Sequence, residues 1–211
     1  MKVLVVGANG RVGSHLVNKL VENEHFVYAG TRKDNLTSTS NNARYVHIDL
    51  LASPDVIAEN MHDAEAIFFV AGSRGKDLLQ VDLNGAVNVM RAAESKNIKR
   101  FIMLSSVFSL EPDKWDQAFL KDLTNYNIAK HFADHWLINN TKLDYTIVQP
   151  GVLKEEPGSG TIDVNIDYPG ENAIENVVDT LVQSLRDPNT IGKVITMSDG
   201  KTPIADALRN L

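Results

Sequence analysis

The stretch Val3-Leu-Val-Val-Gly-Ala-Asn-Gly-Arg-Val-Gly-Ser-His-Leu16 constrains the chain more than any other. Val3–Val6 is a continuous apolar run, the pattern of a strand buried on both faces. Val12, Leu16 and Leu20 then recur at four-residue spacing, which places them on one face of a helix. Between strand and helix stand Gly7, Gly10 and Gly13, so the amides at the helix N-terminus are left free to face an anion. Three glycines alone can mark a tight turn. At the first strand–helix junction of an alternating chain they mark a dinucleotide pyrophosphate site, here Gly7, Asn9, Gly10, Arg11, Val12 and Gly13.

The alternation is visible along the sequence. Short apolar runs at Lys2–Val6, His25–Gly30, Ala43–Ile48, Ala64–Val70, Lys99–Ser105 and Leu143–Val148 read as strands. Helical patterns lie between them, including a long apolar-striped segment, Leu78–Ala93, that opens near Asp77. Ser53-Pro54 and Thr202-Pro203 each set a hydroxyl before a proline suited to a first helical turn, and so mark two further helix starts. Glu155–Gly160 reads as an exposed loop. The expected fold is α/β, a single doubly wound parallel sheet with helices on both faces. With 211 residues, 43% of them hydrophobic, one core is expected. Residues 1–211 are therefore read as one domain, with a small substrate-side region built from loops 107–123 and 154–168.

Several function classes fall away. A net charge of −6 argues against nucleic acid or an anionic membrane as main partner. The absence of cysteine excludes disulfides, thiolate nucleophiles and Cys-ligated zinc. The chain enters a strand at once and no apolar run approaches about 18 residues, so the expected compartment is the cytoplasm. His131 and His135 have metal-ligand spacing, but no third ligand accompanies them, and no metal is expected. The partner left is a small-molecule substrate.

The end of the second strand bears on which dinucleotide binds. An acid there accepts from a ribose 2′-hydroxyl, whereas a cation accommodates a 2′-phosphate. The sequence is Gly30-Thr-Arg-Lys33. Arg32 offers planar bidentate donors, and Arg11 is within reach of the same group, so NADP(H) is favoured over NAD(H). Asp34 is the alternative acidic reader if the strand runs longer. Asp49 and Leu50, after the third strand, are read as an adenine contact or as a turn.

Taken together, Gly7-Ala-Asn-Gly-Arg-Val-Gly13, Val81-Asp-Leu-Asn-Gly-Ala-Val-Asn-Val89, Lys99-Arg-Phe-Ile-Met-Leu-Ser-Ser106, Tyr126-Asn-Ile-Ala-Lys130 and Asp144-Tyr-Thr-Ile-Val-Gln-Pro-Gly151 resemble the atypical short-chain dehydrogenase/reductase superfamily, the NAD(P)-binding, NmrA-like and flavin-reductase-like group. The resemblance implies that Ala71 and Gly72 pass beside the cofactor and that Pro150 and Gly151 pass near the nicotinamide. Gln149 stands where many relatives have arginine. Only residues 151–211 follow, too few for the large substrate lobe of the extended enzymes. The insertion Val107–Leu123, with Phe108, Leu110, Trp115 and Phe119, is read either as a lid or as cover for the core edge.

Tyr-x-x-x-Lys on a helix sets phenol and ammonium one turn apart on one face, so the cation lowers the phenol pKa toward working pH. By the resemblance, Tyr126 gives a proton to a carbonyl oxygen, Ser106 hydrogen-bonds that oxygen, and Lys130 holds the ribose and tunes the phenol. Ser105 is the competitor for the serine role. The expected function is an NADPH-dependent oxidoreductase transferring hydride to a small carbonyl, quinone or flavin-like acceptor. The alternative is a non-catalytic redox sensor of the NmrA-like type that reports the NADP(H) ratio to a protein partner. Relatives can pair through helices around Leu78–Lys96 and Tyr126–Asn139, which makes a homodimer an open expectation.

Overall fold

In the computed structural model, which describes residues 1–33 and 40–211, strand and helix alternate from the N-terminus. The first half runs β1 (Lys2–Val6), α1 (Arg11–Glu22), β2 (Phe26–Thr31), β3 (Ala43–His47), α2 (Pro54–Glu59), β4 (Ala66–Phe69), α3 (Ala86–Ser95) and β5 (Arg100–Leu104). The second runs α4 (Thr124–Asn140), β6 (Asp144–Pro150), β7 (Val152–Lys154), β8 (Thr161–Val164), β9 (Glu171–Ala173), α5 (Ile174–Arg186), β10 (Lys193–Asp199), β11 (Thr202–Pro203) and α6 (Ile204–Arg209). Nine strands form one sheet in the order β3-β2-β1-β4-β5-β6-β10-β8-β11. The first six have the order of the dinucleotide-binding fold and are parallel throughout.

The central parallel strands read as near-continuous apolar runs because each is covered on both faces, whereas the edge strand β3 is partly exposed. On one face Val3 and Val5 pack with Leu16 and Leu20 of α1 and Val177 and Leu181 of α5. On the other Leu4 and Val6 pack with Ile57 of α2, Met90 of α3 and Leu137 of α4. Successive residues of one strand thus serve opposite layers, which leaves no polar position.

The structure adds to the expected sheet and corrects it in places. β10 continues the parallel order beyond β6, but β8 and β11 run antiparallel at that edge, so the sheet is mostly rather than wholly parallel. β7 and β9 form a separate parallel pair beside it. Ser53 caps α2 as read, accepting from the Val56 amide at 3.4 Å. Thr202-Pro203 does not cap: it pairs with β8, and α6 begins one residue later with no side-chain cap. The segment expected to be helical from Asp77 is a π-helical turn over Leu78–Gly85 before α3 takes over. Its apolar residues 78, 79, 81 and 83 do not keep a 3.6-residue spacing, and Leu79 is 64% exposed. Among the described residues, no helix is long and apolar enough to cross a membrane.

Candidate active site

At the C-terminal ends of β1, β2, β4, β5 and β6 the helices diverge and leave a cleft of about 1010 Å³. This is where an open parallel sheet places its ligands. The glycine loop forms one end. Gly7 has φ +92°, and a Cβ there would lie 2.7 Å from the Cα of Ala71, so the ends of β1 and β4 touch backbone to backbone. A Cβ on Gly13 would lie 2.1 Å from the Gly7 carbonyl oxygen, which locks α1 against the loop. Gly10 caps α1 with no side-chain bond, and no acid stands in the first turn. The amides of that turn therefore face the cleft with a positive helix end behind them, and an anion fits there.

Arg32, Lys33, Asp49 and Leu50 line the same cleft. β2 ends at Thr31, whose hydroxyl accepts from Asn9 Nδ2 at 2.9 Å, so Arg32 follows directly after the strand. Among the described residues the side chains of Arg32 and Lys33 make no hydrogen bond or ion pair. Asp34 lies outside the described residues. Asp49 closes a turn by accepting from the Leu51 amide at 3.0 Å, as one of its two readings expects. Arg11 is turned the other way: Nε meets Glu155 at 2.7 Å and Nη2 donates to the Leu153 carbonyl at 3.2 Å. That pair ties the glycine loop to the segment after β7, and Arg11 reaches a 2′-phosphate only by releasing it.

Across the cleft stand Ser105 and Ser106 after β5, Tyr126 and Lys130 on α4, and Pro150 at the end of β6 with Gly151 after it. Lys130 is 3% exposed, donates to the Leu104 carbonyl at 3.2 Å, and lies 5.9 Å from the centre of the Tyr126 ring. The two serines differ. Ser105 donates to Asp134 Oδ2 at 2.6 Å inside a buried cluster with Ser109 and Gln149, whereas the Ser106 hydroxyl makes no hydrogen bond among the described residues. Gln149 is 1% exposed and donates to Ser109 and Asp134, so it faces the core and takes no part in the cleft. Burial holds the Asp134 carboxyl above the usual carboxylate range, against the donated bonds and the Lys130 charge.

Residues that the sequence reading did not single out support this frame. Asp82 is buried and accepts from the Ser73 amide at 3.0 Å, bracing the segment after β4. Asn172 accepts from the Gly151 amide at 2.8 Å, and a Cβ on Gly151 would lie 1.9 Å from the Gly170 carbonyl. The insertion after β5 covers an edge of the core and borders the cleft. Val107, Phe108 and Leu120 bury a small core of their own with Ile166, while Phe119 and Leu123 reach the cleft. Phe108 is held at φ +57°, with the Trp115 indole donating to its carbonyl. The His131 ring is 2.8 Å from the Ser109 carbonyl, and among the described residues no three His, Asp or Glu side chains cluster as a metal site.

Comparison with known proteins agrees with this geometry. The family model described as NAD(P)H-binding matches residues 7–188. The chain belongs to this NAD(P)H-binding family. Within it, the Bacillus subtilis protein called uncharacterized sugar epimerase YhfK is 37% identical over the whole of both chains. The crystal structure of the oxidoreductase ylbE from Lactococcus lactis is 47% identical, with a TM-score of 0.96 over 100% of this chain and 96% of that one. A Bacillus halodurans structure carrying the name of an NAD-dependent epimerase/dehydratase is 31% identical, with a TM-score of 0.87 over the whole of both chains. The family thus gathers oxidoreductase and epimerase names on one NAD(P)-binding frame.

Proposed function

We propose that this NAD(P)H-binding protein is an NADPH-dependent oxidoreductase that passes hydride to a small carbonyl, quinone or flavin-like acceptor. The observation that carries the reading is one cleft holding the uncapped α1 terminus at one end and Ser106, Tyr126 and Lys130 at the other. NADPH is favoured over NADH by Arg32 and Lys33, two cations with no partner among the described residues. The first turn of α1 would hold the pyrophosphate, Lys130 the ribose, and Pro150-Gly151 the nicotinamide side. The reduced nicotinamide, when bound, supplies the hydride.

This chain's residues do the rest. With a carbonyl acceptor, Tyr126 donates its phenolic proton to the oxygen as negative charge develops there, and Ser106 donates a hydrogen bond to the same oxygen. The Lys130 ammonium beside the phenol stabilises the phenolate left behind, which regains its proton from solvent. Phe119 and Leu123 give the acceptor end an apolar wall.

The test is NADPH oxidation against aldehydes, quinones and flavins, with cofactor binding measured alongside. Turnover with one of these classes is expected. Tight NADPH binding without turnover by any of them would favour the alternative, a redox sensor of the NmrA-like type, in which the cleft reports the NADP(H) ratio to a protein partner.

A further inference from the structure

The charges that line the cleft are divided between its two walls. Arg32 and Lys33 follow β2, and Arg74 and Lys76 lie in the turn after β4, where the Lys76 amide donates to the Ser73 carbonyl at 3.3 Å. β2 and β4 are the two strands that flank β1. Two pairs of cations, none with a side-chain partner among the described residues, therefore stand on either side of the glycine loop. That is the part of the cleft where a dinucleotide carries its phosphates.

The wall that carries Ser106 and Tyr126 is different. β5 and β6 lie one and two places beyond β4, roughly 5 and 10 Å further along the sheet. From β5 onward, Lys130 is the one charged residue among the described residues lining the cleft; it is buried and donates to the Leu104 carbonyl at 3.2 Å. Phe119 and Leu123 of the insertion and Val152 and Leu153 of β7 line the same wall. Neighbouring cations are paired: Arg11 with Glu155 at 2.7 Å, Lys154 with Glu171 at 2.8 Å and Lys114 with Glu111 at 3.0 Å. Lys121 and Asp122 are exposed and do not line the cleft. Gln149, where many relatives have arginine, is turned into the core toward Ser109 and Asp134.

We propose that the acceptor is an uncharged, largely apolar carbonyl compound, and that a carboxylate or phosphate on it is rejected. This rests on the hydride transfer proposed above and narrows it. An anionic group brought against that wall would lose water and gain no cation, whereas an apolar ring would cover Phe119, Leu123, Val152 and Leu153. In the reduction the carbonyl carbon gains a hydride, with its two electrons, from the reduced nicotinamide, which is left oxidised. The C=O π bond opens, and the oxygen takes its proton from Tyr126. A quinone takes up the same hydride and proton and becomes a hydroquinone.

The test uses two aldehydes of like size, 4-isopropylbenzaldehyde and 4-carboxybenzaldehyde, with NADPH and the full-length protein. For the isopropyl compound kcat/KM should be at least about tenfold higher, because the carboxylate meets no countercharge. Leu123→Arg, at a position 37% exposed, sets a cation on the wall. It should raise kcat/KM for the carboxylate compound about tenfold over the wild-type value. Equal or faster reduction of the carboxylate compound by the wild type overturns the proposal, and so does a preference that Leu123→Arg leaves intact. If neither aldehyde is reduced, binding decides. Ligand-observed NMR titration of the protein saturated with NADP⁺ should show the isopropyl compound bound at least about tenfold more tightly. Equal or tighter binding of the carboxylate compound, or binding of neither, overturns the proposal. Tighter binding of the isopropyl compound without turnover leaves the acceptor preference standing and removes only the hydride transfer.

Discussion

In the proposed function Arg32 would carry the preference for NADPH. It follows the last residue of β2, lines the cleft and has no side-chain partner among the described residues, so a 2′-phosphate would supply its first charged bond. Losing one charged hydrogen-bond partner costs about 1.5–3 kcal/mol, roughly ten- to a hundredfold in affinity. Arg32→Ala should weaken NADPH by that factor and leave NADH nearly unchanged, and calorimetric titration of both cofactors checks it. Equal affinities in the wild type would remove the preference. In the same proposal Tyr126 is the proton donor. Tyr126→Phe keeps the ring and removes the donor, so carbonyl reduction should fall roughly 10²–10⁴-fold while NADPH affinity barely changes. A quinone or flavin can draw its proton from water, and there the loss should stay under about tenfold. Steady-state rates with both acceptor kinds thus identify the acceptor as well as the donor.

Single elements show what the sequence could and could not convey. The central parallel strands were legible because double burial writes a near-continuous apolar run into each, while the edge strand β3, Ala-Arg-Tyr-Val-His, is only partly buried. β7, β9 and β11 were not, since each holds two or three residues and owes its form to neighbours far along the chain. β10 is Lys-Val-Ile-Thr-Met-Ser-Asp, whose central residues pair with β6; only that pairing separates it from any short apolar run. At the site, the glycines and the Tyr126–Lys130 spacing were readable as motifs. What distinguishes Ser105 from Ser106 was not readable from spacing, because it depends on Asp134 claiming the Ser105 hydroxyl. One signal was available: Asp134 stands four residues after Lys130, on the same stripe. The α1 junction offers a direct test of an element held by close approach. Gly13→Ala puts a methyl 2.1 Å from the Gly7 carbonyl, so helix and loop must separate and the first-turn amides shift with them. Cofactor affinity should collapse in Gly13→Ala relative to the wild type. Fluorescence titration with NADPH measures the loss. Normal binding by folded Gly13→Ala would mean the junction is slacker than its geometry.

For the molecule as a whole, the pH dependence of stability is readable from His25, in the turn between α1 and β2. It is buried, and neither ring nitrogen makes a well-formed hydrogen bond among the described residues. Burial, then the N-terminal ammonium, then Arg186 lower its pKa from the ordinary 6.5. The unfolded chain therefore takes up a proton near pH 6.5 that the folded chain still refuses. The stability that His25 contributes is fully present above that pH. It is lost as pH falls toward the folded-state value, with a slope of at most one proton, about 1.4 kcal/mol per pH unit. His25→Phe removes the titrating group and keeps an aromatic body in its place. Urea midpoints of wild type and His25→Phe, measured from pH 7.5 to pH 5, should run parallel above about pH 7 and diverge below it, the wild type falling faster. The difference between the two curves isolates His25, because the other histidines and the carboxylates titrate in both proteins. Curves that stay parallel down to pH 5 would show that the folded protein admits a proton at His25 as readily as the unfolded chain does.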